Sequence, residues 1–360
     1  MGKPLVKQLS TVSNVFVTTR QERTNEKSLG HSIEYIKGNA KDIKFLTATI
    51  NLNHWDAVVD FMVWDREFGE VLPLLLSNTN QYVFISSARV YSQSDVPITE
   101  NTPRLLDISN DEEYLKTNEY ALAKAREEDM LFRSGSKNFT IVRPSITYNS
   151  NRLQLGVLEI ENWLYRVLQG RSLVFSKDIA DKVTTMTFGD DVAQGITSLI
   201  GKNDALGEVF QITSPVPLKW NEVLDVYLNV LEKHLGKRPQ VVMTEKTTCL
   251  KFSRKKYQVI YCRYFNRTFD NTKVGHFCDV NHFTTPQKGL EKCLEDFLAN
   301  PNFGTIDWAL EGVNDRITGE HARWSELKTL TDKKIYLKNR YNLIFILSIL
   351  RFIRKILRIS

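Results

Sequence analysis

The chain has 360 residues, 42% hydrophobic and 25% charged, a balance that excludes a disordered or fibrous protein and leaves room for one large α/β domain with a smaller lobe. The net charge of +6 has one source: residues 333–360 carry eight Lys/Arg and no Asp/Glu, leaving 40 basic and 42 acidic residues, a net of −2, ahead of them. A nearly neutral body argues against nucleic-acid binding as its task. Cys249, Cys262, Cys278 and Cys293 are widely spaced, show no metal-ligand pattern, and read as reduced thiols. The first residues hold no apolar run of the secretory kind, which points to the cytoplasm.

Residues 1–9 read as a helix from the first turn, with Pro4 tolerated near its start. A strand follows at 14–20, a short one at 33–38 that stops at Gly38, and another at 55–61. Residues 68–76 are helical. Tyr82-Val83-Phe84-Ile85 is an uninterrupted apolar run, the pattern of a strand buried on both faces, and it ends on Ser86-Ser87. A helix begins near Glu119, a strand at 139–144 closes on Arg143-Pro144, a helix covers 159–168, and a late strand at 209–213 precedes a helix opening at Trp220. Strands alternating with helices predict a parallel, doubly wound sheet, in which ligands bind beyond the carboxyl ends of the strands. Ser87 lies at such an end. Tyr120 and Lys124, four apart, share one helix face. An ammonium beside a phenol favours the phenolate, and a serine hydroxyl can hold the same substrate oxygen, so the three residues suit proton transfer between an alcohol and a carbonyl.

The order of strand, Ser86-Ser87-Ala88-Arg89-Val90-Tyr91, and helix with Tyr120-x-x-x-Lys124 resembles the extended short-chain dehydrogenase/reductases, the NAD-dependent epimerase/dehydratase family of nucleotide-sugar enzymes. Glu100 and the turn Gly189-Asp190-Asp191-Val192-Ala193 are similar to that family's, and the resemblance runs from Gly2 to about Trp324. It implies a Rossmann-like domain over 1–149 and 180–214, and a substrate lobe over 150–179 and 215–330. It further implies catalysis by Ser87, Tyr120 and Lys124. Cofactor contacts would come from Gly2, Arg20, Asn39 and Phe61 together with Tyr120 and Lys124. The cofactor is NAD or NADP, with Arg20 leaning towards the 2′-phosphate of NADP. Gly2 aligns with the last glycine of the family's glycine-rich turn, so the first strand and most of that turn are expected to be missing. A chain lacking them should bind dinucleotide less well than one with about ten more residues upstream, enough for a strand and a turn.

Substrate contacts are expected from Ser87 and from Arg152, Arg166 and Arg171, whose guanidinium forks match a nucleotide-sugar diphosphate. Surface ion pairing is the ordinary alternative for each arginine. The family's sugar dehydratases typically carry Asp-Glu after the catalytic hydroxyl, where this chain has Ala88-Arg89. That implies epimerisation or keto reduction rather than elimination of water, in surface polysaccharide biosynthesis. The alternative is a non-catalytic relative acting as a binding or regulatory protein. Residues 343–359 combine an apolar run with Arg351, Arg354, Lys355 and Arg358 on one helical side, too interrupted to span a bilayer. Such a helix either lies peripherally on an anionic membrane or docks on the body or on a second subunit of a homodimer.

Overall fold

The computed structural model describes residues 1–28, 30–247 and 255–342. Its contacts divide the chain into one unit of Met1–Asn149, Val183–Leu218 and Phe265–Gly289, and another of Ser150–Lys182, Lys219–Tyr264 and Leu290–Ser360. The first unit runs α1 (Gly2–Leu9), β1 (Val15–Thr19), β2 (Glu26–Ser28), β3 (His31–Lys37), α2 (Ile43–Ile50), β4 (Trp55–Asp60), α3 (Phe68–Ser77) and β5 (Thr79–Ile85). It continues through α4 (Tyr120–Arg133), β6 (Phe139–Pro144), β7 (Ile146–Tyr148), β8 (Met186–Phe188), α5 (Gly189–Leu199) and β9 (Glu208–Ile212).

Strands β9, β6, β5 and β4 form a parallel sheet in that order, with Val83 opposite Thr140 and also opposite Val59. Side chains of a strand alternate between faces, and here both faces are covered. Tyr82 and Phe84 enter a core with Leu46, Phe68, Leu72 and Ile141. Val83 and Ile85 enter another with Leu5, Val142, Val192, Ile196 and Phe210. This is why the run at 82–85 has no polar break.

The expected single sheet is found in two pieces. β1 pairs in parallel with β3, and β2 adds an antiparallel edge to β3. The all-polar Glu26-Lys27-Ser28 gives no periodic signal for this third strand. Among the described residues no strand lies between β1 and β4, so Val58 and Val59 of β4 stay half-buried. The rings of Phe16 on β1 and Trp55 on β4 meet edge to face at 5.0 Å. Both sit at the amino ends of their strands. Gly38 ends β3 under a steric constraint: a Cβ there would stand 2.1 Å from the Phe45 ring of α2.

In the second unit, strand Leu173–Ser176 pairs in parallel with Val241–Thr244. Helix Ile160–Leu168 stacks Trp163 on Tyr227 of helix Trp220–Leu235 with ring centroids 4.5 Å apart. Helices Trp308–Thr318 and Leu330–Arg340 approach so closely at Gly312 that a Cβ would lie 2.6 Å from the Tyr336 carbonyl oxygen. Of the basic amphipathic tail expected at 333–360, the first residues belong to helix Leu330–Arg340, and 343–360 lie outside the described residues. No described helix is long and apolar enough to cross a membrane.

Candidate active site

Strand β5 delivers Ser86 and Ser87 to the carboxyl edge of the sheet. The Ser87 Oγ accepts the Arg89 N–H at 3.2 Å and caps the short turn Ala88–Val90. That turn aims Arg89 at the start of α4, where its guanidinium lies 5.2 Å from the centre of the Tyr120 ring and ion-pairs with Glu119. Glu119 is itself the N-cap of α4, accepting the Ala121 N–H at 2.8 Å. One arginine therefore straps the serine turn to the tyrosine. Tyr120 is 38% exposed.

Lys124, one turn deeper, is 1% exposed. Its ammonium pairs with Glu127 at 3.1 Å, donates to the Met62 carbonyl, and lies 4.2 Å from the centre of the Phe84 ring. Burial pulls the Lys124 pKa down and pushes that of Glu127 up, each opposed by the attraction of its partner. Glu127 also accepts the N–H groups of Trp64 and Asp65 at 2.6 and 2.8 Å. Asp60 accepts the Met62 N–H and the Trp64 indole N–H at 2.7 and 2.5 Å. The loop after β4 is thus pinned to α4, with Phe61 left 40% exposed beside the site.

Beneath the serines lies a buried charged floor. Glu128, fully buried, accepts the Ser86 hydroxyl at 2.5 Å, both Nε and Nη2 of Arg143 at 2.8 and 2.6 Å, and Arg104 at 3.2 Å. Arg143 in turn stacks 4.8 Å over the Tyr91 ring and donates to the Glu100 carbonyl. The Glu100 carboxylate is held by the Gln211 N–H at 3.0 Å.

Of the other expected contacts, Arg20 and Asn39 stand exposed just past the ends of β1 and β3. Asn39 also caps its own turn, accepting the Lys41 N–H at 3.2 Å. Gly2 opens α1 with clear space around its Cα. Arg152, in the second unit, is exposed. Arg166 and Arg171 are placed differently from what their charge suggested. Arg166 is fully buried and spends its donors on the Ser172 carbonyl, Glu311, Asp315 and Glu320; Arg171 is pinned by Asp315 and Glu326. These guanidiniums build the second unit, and turning either outward would strand buried carboxylates.

Two arginines face four carboxylates there, and burial pushes the most enclosed of them, Glu311, up to about 7 despite the pull of Arg166 and Arg171. A carboxyl whose pKa is raised on folding stabilises the fold while it is protonated, and that contribution is lost as pH rises towards and through 7. Stability should therefore fall between about pH 4.5 and 7.5 through this group, by no more than about 3 kcal/mol. Glu311→Gln, uncharged throughout, should flatten that part of the profile; an unchanged slope would remove Glu311 as its source.

No protein-family model matches the chain. A search of curated proteins finds the chloroplast stem-loop binding protein of 41 kDa b of Arabidopsis thaliana, 25% identical over 183 residues. That match takes in 50% of this chain and 44% of the relative, less than half its length. Solved structures match far more of the fold. UDP-glucose 4-epimerase from Bifidobacterium longum, in complex with NAD+ and UDP, superposes with a TM-score of 0.59 at 16% identity, over 83% of this chain and 95% of its own. An epimerase from Methanothermobacter thermautotrophicus gives 0.60 at 17%, over 83% and 89%. The dTDP-glucose 4,6-dehydratase of Bacillus anthracis, with NAD, gives 0.56 at 17%, over 74% and 80%.

The chain shares the fold of these epimerase and dehydratase structures. In that fold, Ser87, Tyr120 and Lys124 are set by the β5 turn and the first two turns of α4. Three residues that sequence reasoning gave no role complete the site. Arg89 appeared only as a departure from the acidic pair of dehydratases, and Glu127 and Glu128 not at all. Their signal was available: three and four residues after Lys124, both fall on its side of the helix.

Proposed function

We propose that the chain is an NAD(P)-dependent enzyme that interconverts the alcohol and ketone states of a nucleotide-bound sugar, as a 4-epimerase or a keto-reductase in surface polysaccharide biosynthesis. The observation that carries this is the Arg89 strap, which holds the Ser87 turn and the Tyr120 ring together at the carboxyl edge of the sheet. The residues present suit a dinucleotide: Arg20 and Asn39 would take its adenosine end, the N-terminus of α1 at Gly2 its pyrophosphate, and Phe61 its far ring. When bound, NAD(P) supplies the hydride acceptor and donor.

The chain's own residues handle the proton and the sugar oxygen. Tyr120, as phenolate, takes the proton of the sugar hydroxyl, and the Ser87 hydroxyl steadies the same oxygen as it becomes a carbonyl. The Arg89 guanidinium rests against the ring, 5.2 Å from its centre. Lys124, paired with Glu127 and bonded to the Met62 carbonyl, fixes the wall that carries Phe61. Ala88 and Arg89 leave no carboxyl pair beside the hydroxyl, so water is not expelled. The experiment is product analysis after incubation with NAD or NADP and a panel of UDP- and dTDP-hexoses. An interconverted or reduced sugar is expected; a dehydrated one would reject the assignment.

A second reading, a non-catalytic binding or regulatory protein, is favoured by the name of the curated relative, a stem-loop binding protein. On that reading the same panel gives no turnover by a folded chain that binds a hairpin RNA.

A further inference from the structure

The end of the second unit presents a surface that the proposed chemistry does not use. Helix Leu330–Arg340 is fixed in rotation by its inner side: Tyr336, 3% exposed, donates its hydroxyl to Asp315 at 2.7 Å, and the helix backbone abuts Gly312. Its outer side must then carry Leu330, Lys334 and Lys338, one turn apart, with Ile335 alongside. Leu330 is 75% exposed and Ile335 39%. Trp324, 57% exposed, stands just before the helix with the Lys333 ammonium 4.7 Å from its ring centre. Trp324, Leu330 and Ile335 thus put exposed apolar surface beside the lysines of this helix.

Charge identifies that partner. Across residues 321–341 there are six Lys/Arg and two Asp/Glu. Neither acid opposes an anion: Glu326 is bound by Arg171 and Tyr165, and Asp332 caps the helix by accepting the Thr329 N–H. Arg323, Lys328, Lys334 and Lys338 are all exposed. The residues next in the chain, 343–360, continue the same composition, apolar residues with Arg351, Arg354, Lys355 and Arg358. Exposed Trp and Leu among lysines match the headgroup boundary of a bilayer, where an aromatic ring sits at the interface and lysines meet lipid phosphates.

We propose that the face formed by Trp324, Leu330, Lys334 and Lys338 is a peripheral docking surface for anionic lipid membranes. The test is co-sedimentation of the full chain with vesicles of phosphatidylcholine, with and without phosphatidylserine. Binding is expected only with the anionic lipid and should weaken with salt. Lys334→Glu/Lys338→Glu should lose at least tenfold in affinity, on the basis of about fivefold for each basic charge near such a surface. Bromine-labelled lipid should quench tryptophan fluorescence in the wild type and less in Trp324→Phe, a variant at an exposed position that should melt as the wild type does. The proposal is overturned if the charge-reversed chain binds anionic vesicles as well as the wild type does, since 343–360 alone would then suffice. It is equally overturned if the chain ignores vesicles and instead dimerises through Trp324, or binds a hairpin RNA through the same lysines.

Discussion

Tyr120→Phe is expected to cut nucleotide-sugar turnover by about 100- to 10,000-fold, the usual contribution of a positioned proton-transfer group. The change removes one hydroxyl from a ring that is 38% exposed and keeps the face on which Arg89 rests. Stability should therefore hardly change, because surface substitutions of this kind stay within about 0.5 kcal/mol. Steady-state kinetics with a melting curve on the same sample separates the two effects. A variant that melts normally and keeps most of its rate would take Tyr120 out of the chemistry. One that loses both would give it a structural part instead.

Glu128→Ala should be the most damaging single change to the first unit. It removes the carboxylate that Arg143, Arg104 and Ser86 share, and Arg143 is 3% exposed with no water to turn to. Breaking a buried pair from one side costs about 3–5 kcal/mol, chiefly for the charge left unpaired. Much of a domain's net stability, about 5–15 kcal/mol, would be gone. Denaturant unfolding of Glu128→Ala against Glu128→Gln measures it, the glutamine keeping the shape and part of the hydrogen bonding. Near-wild-type stability in Glu128→Ala would mean that the floor can reorganise.

The parts of this molecule legible from sequence are those where one local pattern sufficed. Residues 82–85 announced β5 because both faces are buried, and Phe139–Pro144 announced β6 for the same reason. Tyr120 and Lys124 announced a shared helix face. What stayed hidden depends on partners distant in the chain. Arg166 reads as a surface cation until Glu311 and Asp315, 145 and 149 residues later, arrive to bury it. Lys124 reads as a ligand for the tyrosine's partner, but its ammonium is claimed from the β4 loop, 62 residues earlier, and by Glu127. β1 and β4 each carry ordinary strand composition, and their pairing shows that neither bonds to the other.

The central claim is that Tyr120 and Ser87 serve a hydride exchange between a sugar carbon and a nicotinamide. The most direct measurement follows the hydrogen itself in the product assay. A nucleotide sugar carrying deuterium on its carbinol carbon is incubated with the chain and excess NAD or NADP, and the cofactor and sugar are analysed by mass spectrometry. The account requires deuterium on the nicotinamide, or its return to the opposite face of the same carbon, and neither in Tyr120→Phe. Folded wild-type chain that leaves the label in place on every sugar offered, with no reduced nicotinamide formed, would contradict it.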